Sequence, residues 1–408
     1  MQADSLSIQT ADTAATAMVA VPEPSALAVR YHRSGNVLWA AATGLDLLLP
    51  AALLFTGMSA RIRAATGRLA RGRRFATIAV YAVCYVLVQA LVFLPLSWYA
   101  GFVRQHAYGL STETASAWLS DWSKSVALSA GFAALLLWIP YWLLRASPRR
   151  WWLWTGLLTA PLTVLAMIVL PVHIAPLFDE YGRMRDPALE RRIGRLAERA
   201  GIPDSRIYEV RKSDETKQVN AFVTGLGGTK RIVIWDTLVD RLQPDELAFV
   251  VGHEIGHFVL RHTLTFVVLT TLLVTLSLWT VHRVAGWLIA RFGRRFGFDR
   301  LDDVASLPLL ALVGGVVMLA ATPAALALSR RQEREADRFA LEITRDNSAG
   351  ARSFVRLQED NLAVPRTGPL YRLWRGSHPD LADRIEFANR YRPWLEGRRL
   401  RYGHRFAP

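Results

Sequence analysis

The chain has 408 residues, is 52% hydrophobic and carries a formal net charge of +15. Its single cysteine, Cys84, excludes an internal disulfide and a thiolate-based metal site. The basic excess is nearly all arginine, lysine standing only at Lys124, Lys212, Lys217 and Lys230. No nucleic-acid-binding signature accompanies it, so a nucleic-acid partner is not expected and solvated loop charge is.

In chain order, residues 1–30 read as a flexible tail. They have no basic start and no long apolar stretch, so they are not a signal peptide. Four apolar runs follow, at 38–57, 77–99, 126–144 and 154–172. Each approaches the roughly 20 residues that cross a bilayer. Asp46 interrupts the first. Two more runs, at 266–289 and 306–326, flank the basic turn at 291–303 and read as a transmembrane hairpin. Soluble core helices rarely repeat such runs several times over. Trp98 with Tyr99, Trp138 with Tyr141 and Trp142, and "WWLW" at 151–154 lie near run ends, as interfacial aromatics do. The expected organisation is a tail (1–30), a four-span domain (31–172), a polar segment (173–262), the hairpin (263–328) and a second polar segment (329–408).

The first polar segment reads as α+β. "DPALERRIGRLAERAG" is an amphipathic helix with Leu189, Ile193 and Leu196 on its apolar face and Gly201 at its end. "SRIYEVRKS", "VNAFVTG" and "KRIVIWDTL" have strand composition, broken by glycine and polar turns. "QPDELAFVVGHEIGHFVLRH" is again helical, with Pro244 and Asp245 near its start.

That helix carries chemistry. His253 and His257 stand at i and i+4, so both imidazoles leave one face a turn apart, at zinc-ligand spacing. Glu254 beside them can take a proton from water at such a metal. Gly252 and Gly256 flank the face and each costs about 1 kcal/mol of helix stability against alanine. A purely structural helix has no reason to accept that twice. A catalytic zinc needs a third protein ligand. His262 is five residues beyond His257, about 140° off the ligand face of one continuous helix, and reads as an interfacial or hydrogen-bonding residue. "SRRQEREADRFALE" at 329–342 offers a better ligand. There Glu333 and Asp337 share a face with Ala336 and Ala340, and Glu335 points away. His257 lies 40 residues before Gly297 and Glu333 lies 36 after it. Continuous antiparallel arms would therefore bring them within about 6 Å in height, although Pro323 can kink one arm.

"HEIGH" followed by two spans and "SRRQEREADRFA" resembles the integral-membrane zinc metallopeptidases that include the type I CAAX prenyl protease and the heat-shock membrane protease. The resemblance implies that Glu333 is the third zinc ligand and that Asp337 supports the site. "NAFVTGLGGTKRIVIWDTL" at 220–238 is similar to the family's substrate-aligned edge strand, with Asn220 as a substrate contact. "SHPDLADRIEFA" at 377–388 is similar to its S-H-P-x-x-x-x-R-I motif, with His378 and Arg384 holding substrate or the developing oxyanion. "LPVHIAPLFDEYGRM" at 170–184 favours the CAAX prenyl protease branch. The resemblance covers about residues 30 to 395. Two departures concern substrate identity and not the zinc site: six spans here against seven, and S-H-P-D where that branch has S-H-P-P.

The expectation is therefore a mainly α, polytopic membrane bundle with a small α+β zincin-like catalytic domain holding one Zn2+ per chain. It would hydrolyse peptide bonds of membrane-associated or membrane-delivered proteins, in a bacterial inner membrane. The alternatives are a heat-shock-type quality-control protease, a non-catalytic metal-binding membrane protein or transporter, and a scaffold with structural zinc. Oligomeric state is not legible. Sidedness stays open: arginines at 61–74, at 145–150 and in the hairpin turn would place that end in the cytoplasm, whereas the resemblance implies the reverse.

Overall fold

A computed structural model of the protein describes residues 18–203, 205–225 and 229–407. Six of its helices are long and apolar enough to cross a membrane. They are built from α1 (Ala26–Phe55), α3 (Arg74–Trp98) running through a π turn into α4 (Arg104–Ala107), α5 (Ala115–Leu136) with α6 (Trp138–Ala146), α7 (Trp151–Val169), α11 (His262–Phe296) and α12 (Leu307–Thr344). Amphipathic α2 (Met58–Leu69) links the first two. Large apolar side chains such as Leu48, Leu91, Leu135, Leu165, Leu272 and Trp287 face outward along the spans. Such faces suit hydrocarbon, while each helix satisfies its own backbone.

The polar segments form one unit at one end of the bundle. It holds α8 (Pro187–Arg199), α9 (Asp236–Arg241), α10 (Pro244–Val259), α13 (Asn347–Asp360), α14 (Pro369–Trp374) and α15 (Leu381–Arg390). Its four-stranded sheet has β1 (Tyr181–Gly182), β2 (Arg206–Val210), β3 (Ala221–Thr224) and β4 (Arg231–Trp235) in the order β1-β2-β4-β3. β2 and β4 are parallel, with Ile207 opposite Ile232, and β3 is antiparallel on β4, with Ala221 opposite Ile234. β3 is thus an edge. A core of Ile193, Ile232, Ile234, Phe249, Ile255, Phe339, Phe354 and Ile385 joins sheet and helices.

The far end of the bundle has its own core around Leu54, Tyr81, Tyr141, Trp151, Phe296 and Ala305. Ser59 Oγ donates to the Ala305 carbonyl at 2.5 Å and lies 2.6 Å from Tyr81 Oη, while Tyr141 Oη lies 3.0 Å from Ser306 Oγ. Arg63 pairs with Asp303 there. The hairpin turns at Gly297, whose φ of 75° is left-handed. A Cβ there would also stand 2.7 Å from the Ala60 side chain, so glycine meets both demands.

Three expectations change. Residues 18–30 are not a free tail. Val19 exchanges hydrogen bonds with Asn389 at 3.1 and 2.8 Å, and Gln358 Nε2 donates to the Pro22 carbonyl at 3.2 Å. The first span begins at Ala26, capped by Ser25 Oγ, which accepts from Ala28 N–H at 3.1 Å; residues 1–17 lie outside the described residues. Finally, the arm from α10 into α11 is broken at Arg261, where φ is 59°, so the hairpin height count holds for α12 and only piecewise for its partner.

Candidate active site

α10 starts from a capping box in which Gln243 and Glu246 satisfy each other's backbone N–H groups, with Pro244 in the first turn. Its glycines let it approach α12. A Cβ on Gly252 would lie 3.6 Å from Ala340 Cα, and one on Gly256 3.3 Å from Ala336 Cα and 3.1 Å from Phe339. The helix stability lost at two glycines is thus exchanged for backbone contact between α10 and α12. That contact sets the imidazoles of one against the carboxylates of the other.

His253 Nε2 and His257 Nε2 are 3.1 Å apart, and each lies 3.3 Å from a Glu333 oxygen. The three ligand atoms fall within 4.8 Å of one another. Glu333 Oε2 is buried and has no well-aligned hydrogen bond among the described residues, although His253 Nε2, His378 Nε2 and Arg384 Nη2 approach it at 3.3, 3.2 and 3.8 Å. Burial alone would lower the His253 pKa. The interactions with the Asp337 and Glu333 carboxylates more than reverse this and push it up to about 10. The pocket therefore demands positive charge at its centre, and two imidazole nitrogens with one carboxylate oxygen are a donor set that fits a divalent cation.

Around these atoms stands a second layer of contacts. His253 Nδ1 donates to Asp337 Oδ1 at 2.8 Å, which fixes the tautomer and turns Nε2 toward the centre. His257 Nδ1 lies 2.9 Å from His262 Nδ1, and His262 Nε2 lies 3.5 Å from Glu335. His262 is thus a hydrogen-bonding neighbour, brought close by the break at Arg261. Glu254 projects beside the cluster with no hydrogen bond or ion pair among the described residues, and burial raises its pKa. His378 stands at the rim with its side chain 55% exposed and its Nδ1 2.8 Å from Ser377 Oγ.

Arg384 is held by Asp337 at the edge of the cluster. Nε and Nη2 donate to the two Asp337 oxygens at 3.0 and 2.6 Å, and the guanidinium stacks 4.2 Å from the Phe354 ring centre. Two of its nitrogens are thereby committed to Asp337. Asn220 is exposed at the start of β3, its carbonyl accepting from Trp235 N–H at 3.1 Å. The edge-strand stretch at 220–238 is present as β3 and β4, with residues 226–228 outside the described residues.

Asn220, His378 and Arg384 line one cavity of about 370 Å³. The same cavity is also lined by Tyr31, Arg104 and Arg375, which no motif in the sequence marks. They come from α1, α4 and the end of α14, and no local spacing links them.

Comparison with known proteins places this geometry. Residues 183–392 match the profile of Peptidase family M48, and residues 24–180 match "CAAX prenyl protease N-terminal, five membrane helices". The Bacillus subtilis (strain 168) protein named "Uncharacterized metalloprotease YhfN" is 32% identical over 369 residues, covering 90% of this chain and 86% of its own. CAAX prenyl protease 1 of Saccharomyces cerevisiae is 30% identical over 317 residues, covering 73% of this chain and 69% of its own. The crystal structure of S. mikatae Ste24p shares the fold, with a TM-score of 0.78 at 24% identity, over 90% of this chain and 92% of that one. The chain belongs to peptidase family M48 and is an integral, multi-pass membrane metalloprotease related to the CAAX prenyl proteases.

Proposed function

We propose that the chain is a zinc metalloendopeptidase of a bacterial inner membrane, cutting membrane-associated or membrane-delivered proteins, with His253, His257 and Glu333 holding one zinc. The observation that carries this reading is the set of three ligand atoms within 4.8 Å of one another, with an unengaged Glu254 carboxylate beside them. A structural zinc would be closed by a fourth protein ligand. A transporter would place ionisable groups along its spans; here Asp46 is the one carboxylate inside the six apolar runs, and the clustered ligands lie at the end that holds the peptidase unit.

When bound, zinc would supply Lewis acidity, polarising a peptide carbonyl and easing deprotonation of water. The protein supplies the rest. Glu254, with its pKa raised by burial, takes the proton of the attacking water and passes it to the leaving nitrogen. His378 Nε2 at the rim donates to the developing oxyanion. Asp337 holds His253 through Nδ1, and Arg384 holds Asp337. The free edge of β3, beginning at Asn220, pairs with the substrate backbone by strand addition.

The test is metal analysis of detergent-purified protein alongside peptide hydrolysis. About one zinc per chain is expected, with activity lost to chelator and regained with stoichiometric zinc. Full activity in the metal-free protein would overturn the reading.

A further inference from the structure

The loop that carries His378 is gripped by α12 at two points. Arg330 stands one turn before Glu333, and residues three apart on a helix share a face. Its Nη1 donates to the Arg372 carbonyl at 2.6 Å and to the Gly376 carbonyl at 2.7 Å. Both carbonyls lie at the C-terminal end of α14, where acceptors lack partners within the helix. The chain folds tightly there: Gly376 N–H donates back to the Tyr371 carbonyl at 2.8 Å, and a Cβ on Gly376 would stand 3.2 Å from Arg372 Cα. The second grip is at Pro323, inside α12. Proline has no N–H, so the Leu319 carbonyl, four residues earlier, loses its usual donor. Trp374 Nε1, at the last residue of α14, donates to that carbonyl at 3.2 Å. A carbonyl freed within a span has to be met by a neighbouring element, and α14 meets this one.

The far end of the loop is tied as well. Asp380 Oδ1 accepts from Thr367 N–H at 3.2 Å and from Thr367 Oγ1 at 2.6 Å. The aspartate of S-H-P-D is thus spent on holding the loop. Only Ser377, His378 and Pro379 stand between Gly376 and Asp380. His378 therefore reaches Glu333 Oε2 at 3.2 Å from Nε2 although its side chain is 55% exposed and has little packing of its own to place it.

We propose that Arg330 and Trp374 are positioning residues for peptide hydrolysis, docking the His378 loop on the helix that bears Glu333. Neither lines the cavity shared by Asn220, His378 and Arg384, so each acts through the loop and not on substrate there. α12 then sets both the metal ligand Glu333 and the oxyanion donor His378, and the spacing between them is fixed by three main-chain carbonyls. A misplacement of about 1 Å at a reacting group can cost about 10²-fold in rate, which is why an exposed donor on a loop needs such ties.

The inference rests on the oxyanion role proposed for His378, so loop order and turnover are read separately, on zinc-loaded full-length protein in detergent. By amide hydrogen exchange, Arg330→Gln and Trp374→Phe should each speed exchange across residues 371–380 and leave residues 244–259 unchanged, with zinc retained. Each should lower kcat about 10–100-fold with KM little altered, and Arg330→Lys, which keeps a donor, should recover part of both effects. In a His378→Ala background Arg330→Gln should cost no further kcat, because the group it positions is gone. Trp374→Phe should loosen the loop less in Pro323→Ala, where the restored N–H at position 323 satisfies the Leu319 carbonyl without the indole. Unchanged exchange in Arg330→Gln overturns the proposal. So does full kcat in Arg330→Gln where His378→Ala is impaired, or an equal further loss in the His378→Ala background. Full kcat in His378→Ala itself would instead overturn the oxyanion reading, while the exchange data still decide whether α12 holds the loop.

Discussion

Asp337 links metal binding to the stability of the buried charge cluster, and its removal should separate the two. Asp337 Oδ1 accepts from His253 Nδ1 at 2.8 Å and from Arg384 Nη2 at 2.6 Å, while Oδ2 accepts from Arg384 Nε at 3.0 Å. In Asp337→Ala the buried Arg384 keeps Glu333 at 3.8 Å and the more distant charge of Glu254, with no close carboxylate. Removing one partner of a buried pair costs about 3–5 kcal/mol. His253 loses the acceptor that aims its Nε2, which should weaken metal affinity about 10–100-fold, or ~1.4–2.8 kcal/mol. Deleting the stranded charge as well, in Asp337→Ala/Arg384→Leu, should recover much of the stability and none of the metal affinity. Denaturant unfolding of the metal-free protein in detergent reads the first quantity, and chelator competition reads the second. A double variant as unstable as the two single losses combined would refute the charge argument. Unchanged zinc affinity in Asp337→Ala would refute its orienting role.

Three further outcomes follow from the geometry. Glu333→Ala should lose most of the bound zinc while Glu335→Ala, whose carboxylate reaches His262 and not the cluster centre, keeps it; the opposite pattern by elemental analysis would show the wrong face of α12 assigned. His378→Ala should retain zinc and lose about 10²–10³-fold in kcat, as expected for one oxyanion donor, and an undiminished kcat would remove that role. Glu342→Ala should free residues 391–402 for limited proteolysis, because its buried carboxylate accepts from Tyr391 Oη, Arg401 N–H at 2.9 Å and Tyr402 N–H at 2.7 Å; an unchanged digestion pattern would count against it.

Residues related by one helical period, or by a count along a hairpin, are legible in the sequence. His253 and His257 share a face through their spacing, and Glu333, Asp337, Ala336 and Ala340 through theirs. The six apolar runs became helices because chain length against bilayer thickness is a local property. Other features depend on distant partners. The start of the first span at Ala26 follows from Ser25 and from residues 18–22 packing on the peptidase unit. The parallel pairing of β2 with β4 crosses β3 and leaves no periodic trace. Arg384 sits in a recognisable motif, yet its hydrogen-bond partner Asp337 stands 47 residues away. Arg104 and Arg375 line one cavity although they are far apart in the chain. The arginines at the end opposite the peptidase unit are also placed by distant partners, since Arg63, Arg74 and Arg145 are ion-paired to Asp302 or Asp303 at the hairpin tip.

The most direct test of the mechanism is Glu254→Gln, assayed in one preparation for zinc and for peptide hydrolysis. The substitution keeps the side chain's size and removes its proton-accepting carboxylate. Glu254 is not among the clustered ligand atoms, so about one zinc per chain should remain, with turnover reduced by at least the roughly 10²–10⁴-fold typical of a lost general base. Normal hydrolysis by that variant, or loss of its zinc, would contradict the account.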